Sequence, residues 1–182
     1  NYVALLGWSP EGEREIYSLP ELVEVFDMSR ISKSPAIFDI EKLKHFNSEY
    51  IRAMTADQFA EKAKPYIESA VPDGKVDYKL VAQLLQPRCE KLTDIPEKID
   101  FFGKLPDYDT ELFVHKKSKS TKETSVQMLN AALEAFDKMT SWDENSIHDT
   151  LISLAEKLGV KNATLMWPVR IAVSGKAVTP GG

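Results

Sequence analysis

Trp167, Arg170, Lys176 and Thr179 supply a stacking face, positive charge and a hydroxyl within Met166–Gly181, a stretch that carries no acidic residue. These are the groups needed to hold a nucleotide, by stacking on its base, offsetting its charge and bonding its edge. Catalytic patterns are scarce elsewhere. The chain has no glycine-rich phosphate loop, no Cys or His pair at zinc spacing and no nucleophile elbow. His45, His115 and His148 lie far apart in sequence, and pairing Cys89 with one of them as a nucleophile rests on residue type alone. The carboxylates are numerous, but their spacing suits solvated helix faces. None is nominated as a general acid or base.

The elements that must position such groups read as helices. Pro168 near the front of the terminal apolar run and Gly175 after it are expected to set the limits of a helix. Ser18 with Glu21, Thr55 with Gln58, Ser120 with Glu123 and Ser141 with Glu144 have capping-box spacing. Leu43, Phe46, Tyr50 and Met54 lie on one helical stripe, as do Val126, Leu129, Leu133 and Phe136, and then Ile147, Leu151, Leu154 and Leu158. Strict alternation is scarce, so strands should be few and the expected class is all-α. Pro65 and Pro87 fall inside helical patterns and should kink or end them, and Pro72-Asp73-Gly74 reads as a turn. Soft boundaries fall near Met54 and near the lysines that begin at Lys116. No repeat at a solenoid period is visible.

Composition bounds the function. At 182 residues with 43% hydrophobic content, the chain can bury a real core as one large domain or two small ones. No apolar run approaches the roughly 18 residues of a membrane helix, and no charged-then-apolar leader opens the chain, so neither membrane insertion nor export is expected. Cys89 has no partner cysteine, which fits a reducing cytosol and the role of a small buried hydrophobe. The net charge of −5 argues against non-specific coating of nucleic acid. Distribution qualifies this: Glu11, Glu13, Glu15, Glu21, Glu24 and Asp27 crowd the opening third, Lys116, Lys117, Lys119 and Lys122 cluster, and no acid follows Lys157.

Four segments resemble bacterial glutamyl-tRNA synthetases in the family's own order. They are NYVALLGWS from Asn1, SKSPAIFDIEKL from Ser32, LLQPRCEKL from Leu84, and the terminal stretch from Met166. The resemblance covers nearly the whole chain and corresponds to the C-terminal portion of the family, without its catalytic domain. It implies an all-helical organisation: a partial stem-contact region over 1–54, a first anticodon-binding module over 55–115 and a second over 116–182. It also implies recognition of glutamate tRNA without aminoacylation by this chain itself, a cytoplasmic monomer, no catalytic or metal-binding residue, and no cofactor here. ATP and magnesium belong to the family's catalytic domain.

The resemblance also assigns residues. Arg88 matches the arginine of a Pro-Arg motif that reads the last anticodon base, for which a guanidinium fork is chemically suited. The alternative is a surface arginine paired with Glu90 or Asp94, of little energetic weight. Thr179 and Pro180 match residues around the first anticodon base, against the alternative of a plain exit turn; the family's following apolar position is Gly182 here. Arg170 matches a tRNA contact and Lys42 a stem contact near the D-arm, each against the reading of an ordinary helix-face charge. Trp167 is read as core rather than base-stacking, His45 stands where some relatives carry Trp, and the lysines from Lys116 are read as a solvated mobile loop rather than phosphate contacts.

Arg30-Ile31-Ser32-Lys33-Ser34 looks like the lysine-serine loop that steadies ATP phosphates in class I synthetases. It is read instead as a connection in which Ser34-Pro35 breaks a helix and Asp39 caps the next. Two other classes stay open on sequence alone. A helical protein-interaction module would present an exposed apolar groove, and a small helical enzyme would need clustered titratable groups.

Overall fold

The computed structural model describes residues 1–72 and 76–180, and over these the chain is all-α, with no strand. Its α-helices are α1 (Tyr2–Gly7), α2 (Leu19–Val25), α3 (Ile40–Arg52), α4 (Ala56–Ala70), α5 (Tyr78–Leu85), α6 (Ile95–Ile99), α7 (Lys122–Phe136), α8 (Glu144–Leu158) and α9 (Asn162–Ser174), joined in places by short 3-10 turns. Two compact units divide the chain: Asn1–Ser69 with Gly74–Pro96, and Ala70–Asp73 with Glu97–Gly182. The turn expected at Pro72-Asp73-Gly74 reaches beyond the described residues, as do Gly181 and Gly182.

In the first unit, polar side chains fix how the helices meet. Asn1 donates from Nδ2 to the Glu15 carbonyl (2.8 Å), and its Oδ1 accepts from the Tyr17 amide (2.8 Å) and the Tyr50 hydroxyl (2.7 Å). Trp8, Tyr17 and Leu22 form a small buried cluster with Ala4 and Leu5 packed against it. The Tyr2 hydroxyl donates to the Asp39 carbonyl (2.8 Å) and accepts from the Asp39 amide (2.6 Å), while its ring meets Phe46 edge-on. Asp39 itself caps α3, accepting from the Glu41 and Lys42 amides, so the expected cap is found and α3 starts at a fixed place. Its buried face is Phe46, Ser48 and Ile51; Tyr50 is 37% exposed and Met54 lies past the helix end. The Ser18–Glu21 and Thr55–Gln58 capping boxes form as spaced. Helix α4 runs through Pro65, whereas α5 ends at Leu85, just before Pro87. Cys89 is buried.

The second unit is built around α7, α8 and α9. Met128, Ala132, Leu151, Ala155 and Leu165 make its core, with Phe136, Ile147, Leu154 and Val160 packed against them. Three sequence expectations need correction. The buried face of α7 is Ser125, Met128 and Ala132, and Val126 and Leu133 are each 60% exposed. Small residues at the crossing let the helices approach, and Val126 and Leu133 of the expected stripe face outward while Phe136 packs against the core. The caps also shift: Thr121 with Thr124 opens α7, because Ser120 is buried and bonded to Ser125 (2.9 Å), and Asp143, not Ser141, opens α8. Pro168 does not begin α9 but lies inside it, since the helix starts at Asn162; Gly175 does end it, in the left-handed conformation at φ 66°.

Candidate functional site

In the first unit the sequence-nominated residues are Lys42 and Arg88. Lys42 sits in the first turn of α3, half-buried. Its Nζ pairs with the Glu15 carboxylate (2.6 Å) and lies 5.7 Å from the centre of the Phe46 ring. Such a solvated pair is weak, so exchanging Glu15 for a phosphate oxygen costs little.

Arg88 closes a 3-10 turn, Gln86–Arg88, directly after α5. The turn is anchored on both sides. Gln86 Nε2 donates to the carbonyls of Ile51 (3.1 Å), in the last turn of α3, and Met54 (2.8 Å), just beyond it. The flanking Leu85 and Cys89 are buried, and Asn47 Nδ2 donates to the Glu90 carbonyl (2.5 Å). Arg88 and Pro87 are exposed on this fixed turn. Of the two acids weighed as structural partners of Arg88, Asp94 pairs with Lys91 at 3.0 Å. Lys42 and the turn bearing Arg88 are associated with opposite ends of α3, which a rise of about 1.5 Å per residue separates by roughly 14 Å.

The remaining nominated residues belong to the second unit. Arg170, half-buried on α9, donates from Nη1 to the Ala177 carbonyl (3.3 Å), bracing the segment that leads to Thr179 and Pro180, themselves half-buried. Ser174 does the same from below. Its hydroxyl, fully buried, donates to the Arg170 carbonyl (2.7 Å) and accepts from the Lys176 amide (3.1 Å). Lys176 then reaches the Glu97 carbonyl (2.8 Å) and the Asp100 carboxylate (3.0 Å). The terminal segment is therefore held by side-chain bonds of Arg170, Ser174 and Lys176.

Two of the groups that looked available for a nucleotide are spent inside the protein. Lys176 is the Asp100 partner just described. Trp167 donates from Nε1 to the Leu112 carbonyl (2.9 Å), and its face carries the His115 ring, in keeping with a core role. What the sequence missed is Ser174, whose burial carries no signature in the one-dimensional pattern, and the form of the lysine-rich segment. The latter is a closed turn rather than an open loop: His115 and Ser120 exchange backbone hydrogen bonds of 3.0 and 3.1 Å. In the segment Arg30–Ser34, Arg30 is engaged within the protein, donating from its guanidinium to the carbonyls of Ser9 (2.7 Å) and Pro10 (2.6 Å). Among the described residues no cluster of His, Cys, Asp or Glu could hold a metal ion, and no helix is long and apolar enough to cross a membrane.

Comparison with known proteins gives concordant results. The profile of a family described as anticodon binding domain matches residues 58–182. A glutamate–tRNA ligase of Clostridium acetobutylicum is 44% identical over 182 residues, which is all of this chain and 38% of that protein. One of Clostridium botulinum strain Hall is 46% identical over the same length, 37% of its own. A crystal structure of a glutamate tRNA ligase from Elizabethkingia meningosepticum, in complex with its amino acid, superimposes with a TM-score of 0.78 at 28% identity, covering 98% of this chain and 35% of that one. The chain thus spans less than two fifths of the length of these relatives.

Proposed function

This chain belongs to the anticodon binding domain family, and we propose on that premise that it recognises glutamate tRNA by its anticodon on behalf of a glutamate–tRNA ligase. The observation that carries the reading is Arg88, an exposed guanidinium on a turn pinned to the end of α3, inside the matched region. A base edge splayed from an anticodon loop presents adjacent acceptors that a guanidinium fork can meet in two bonds, and its face can stack on the same plane. A fork on a pre-fixed backbone loses little freedom on binding.

Thr179 and Pro180 are assigned to the first anticodon base. Arg170, through Ala177, holds their segment and contributes charge beside it. Lys42 is assigned to the tRNA stem. In this reading residues 1–54 form part of a stem-contact region, and 55–115 and 116–182 are the two anticodon modules. The chain acts as a cytoplasmic monomer and carries out no aminoacylation itself; ATP and magnesium are used by residues outside it.

Binding of the purified chain to glutamate tRNA and to a version with a swapped anticodon, at two salt concentrations, tests the proposal. Preference for the cognate anticodon at both salts is the expected result. Equal weak binding that disappears with salt overturns it, since phosphate attraction alone has that signature. Replacing Arg88 by Gln should lower the preference for an anticodon ending in C over one ending in G by about tenfold, the order of one lost bidentate contact. An unchanged ratio removes Arg88 from base reading.

A further inference from the structure

Lys116, Lys117 and Lys119 project from a turn that the second unit holds in place. All three are exposed, and among the described residues none makes an ion pair, whereas the neighbouring Lys122 is paired with Glu111. Between the lysines, Ser118 faces inward at 6% exposure and Ser120 at 3%. The His115 Nδ1 and Ser118 Oγ share a hydrogen bond of 2.8 Å, the Thr164 hydroxyl of α9 donates to the Ser118 carbonyl at 2.8 Å, and Ser120 is tied to Ser125 of α7. Serines inward and lysines outward make a rigid base with a charged rim.

The conformation of Lys119 adds a second, independent observation. Its φ is 53°, and it is the one non-glycine residue at positive φ among those described. Glycine or asparagine would occupy that conformation at lower cost. A lysine held there, beside two others that repel it, concentrates positive charge that a polyanion can meet at several points at once. In a chain of net charge −5, such a rim is where phosphate attraction can concentrate.

We propose that the 116–119 turn is a sequence-independent contact for the phosphodiester backbone of the bound tRNA. This rests on the tRNA reading above and adds a site to it. Each of these ammonium groups displaces a condensed counterion when it meets a phosphate, so the contact supplies affinity and salt dependence but no base discrimination.

The test compares the whole chain with the variant K116Q/K117Q/K119Q, using glutamate tRNA and its anticodon-swapped version over 50 to 200 mM salt. A second variant, K104Q/K138Q/K157Q, removes the same charge from other exposed positions. Loss of the rim should weaken both tRNAs equally and shallow the log–log salt slope by about two units. The advantage of the unaltered chain over the variant should then shrink about 16-fold across that salt range. Lys119→Gly should melt at the same or a higher temperature yet bind less tightly, which separates charge loss from misfolding. An unchanged slope, or an equal loss in the control variant, overturns the proposal while leaving anticodon reading intact. Failure of the unaltered chain to bind tRNA at all overturns the tRNA reading and this inference with it.

Discussion

The imidazole of His115 lies flat against the indole of Trp167, with 3.8 Å between ring centroids and 11° between planes. His115 is also the first residue of the closed lysine turn and Trp167 the middle of α9, so this stack and the Nε1 bond to Leu112 tie the turn to the helix. One face of the only tryptophan on α9 is occupied, and a base could not stack there without displacing the histidine.

Trp167→Phe is therefore expected to act on stability and not on base choice. It leaves the Leu112 carbonyl without its donor, at a cost of about 1–3 kcal/mol. A lower midpoint in denaturant with an unchanged ratio of affinities for the cognate and swapped anticodons is the expected pair of results. A changed ratio would return Trp167 to the list of base contacts.

Gly159 and Gly175 share φ near 66° but differ in surroundings. A methyl group at Gly159 meets nothing within 4 Å, so Ala there should cost only the left-handed backbone penalty, about 1–2 kcal/mol. At Gly175 it would come within 2.8 Å of the Tyr108 ring and 3.0 Å of Pro106. Gly175→Ala should lower the melting temperature more, and should weaken anticodon preference as well, because the segment bearing Thr179 leaves from that residue. Equal melting of the two variants would show that the segment can shift freely.

Acid should destabilise both units through their helix caps. The amide of Ser18, followed by Arg14 and the Ser18 hydroxyl, holds the Glu21 carboxyl at a pKa of about 2 against an ordinary 4.5. The hydroxyl of Ser141, then the amide and hydroxyl of Ser146, hold Asp143 at about 2 against 3.8. Both values are depressed by folding, so the stabilisation is complete above the ordinary values and is lost as pH falls towards 2. Asp143→Asn keeps a competent cap but no titrating group, so the difference between melting temperatures at pH 6 and pH 2.5 should narrow. An undiminished difference would place the acid sensitivity elsewhere.

Leu165 is fully buried where α7, α8 and α9 converge. Truncation to Ala should cost about 2–5 kcal/mol, depending on how far the neighbours close in. Urea denaturation measures it, and a loss below 1 kcal/mol would mean that this core is loosely packed.

Much of the architecture was legible in the order of residues. The class, the Ser18–Glu21 and Thr55–Gln58 boxes, the Asp39 cap and the end of α9 at Gly175 follow from interactions within a few positions of the chain, which the sequence records directly. The motifs around Arg88 and Thr179 were legible as well, because they are contiguous. The choice among local alternatives was not. Thr121 caps α7 because Ser120 is drawn into the interior by Ser125, and Ala132 is buried ahead of Leu133 because a neighbouring helix needs the space. The fates of Trp167, Lys176 and the lysine turn depend on Leu112, Asp100 and Thr164, all distant in sequence. Local pattern thus determined which segments are helical and which residues are chemically apt for RNA. Long-range packing decided which of those residues are consumed in holding the protein together and which stand exposed on its surface.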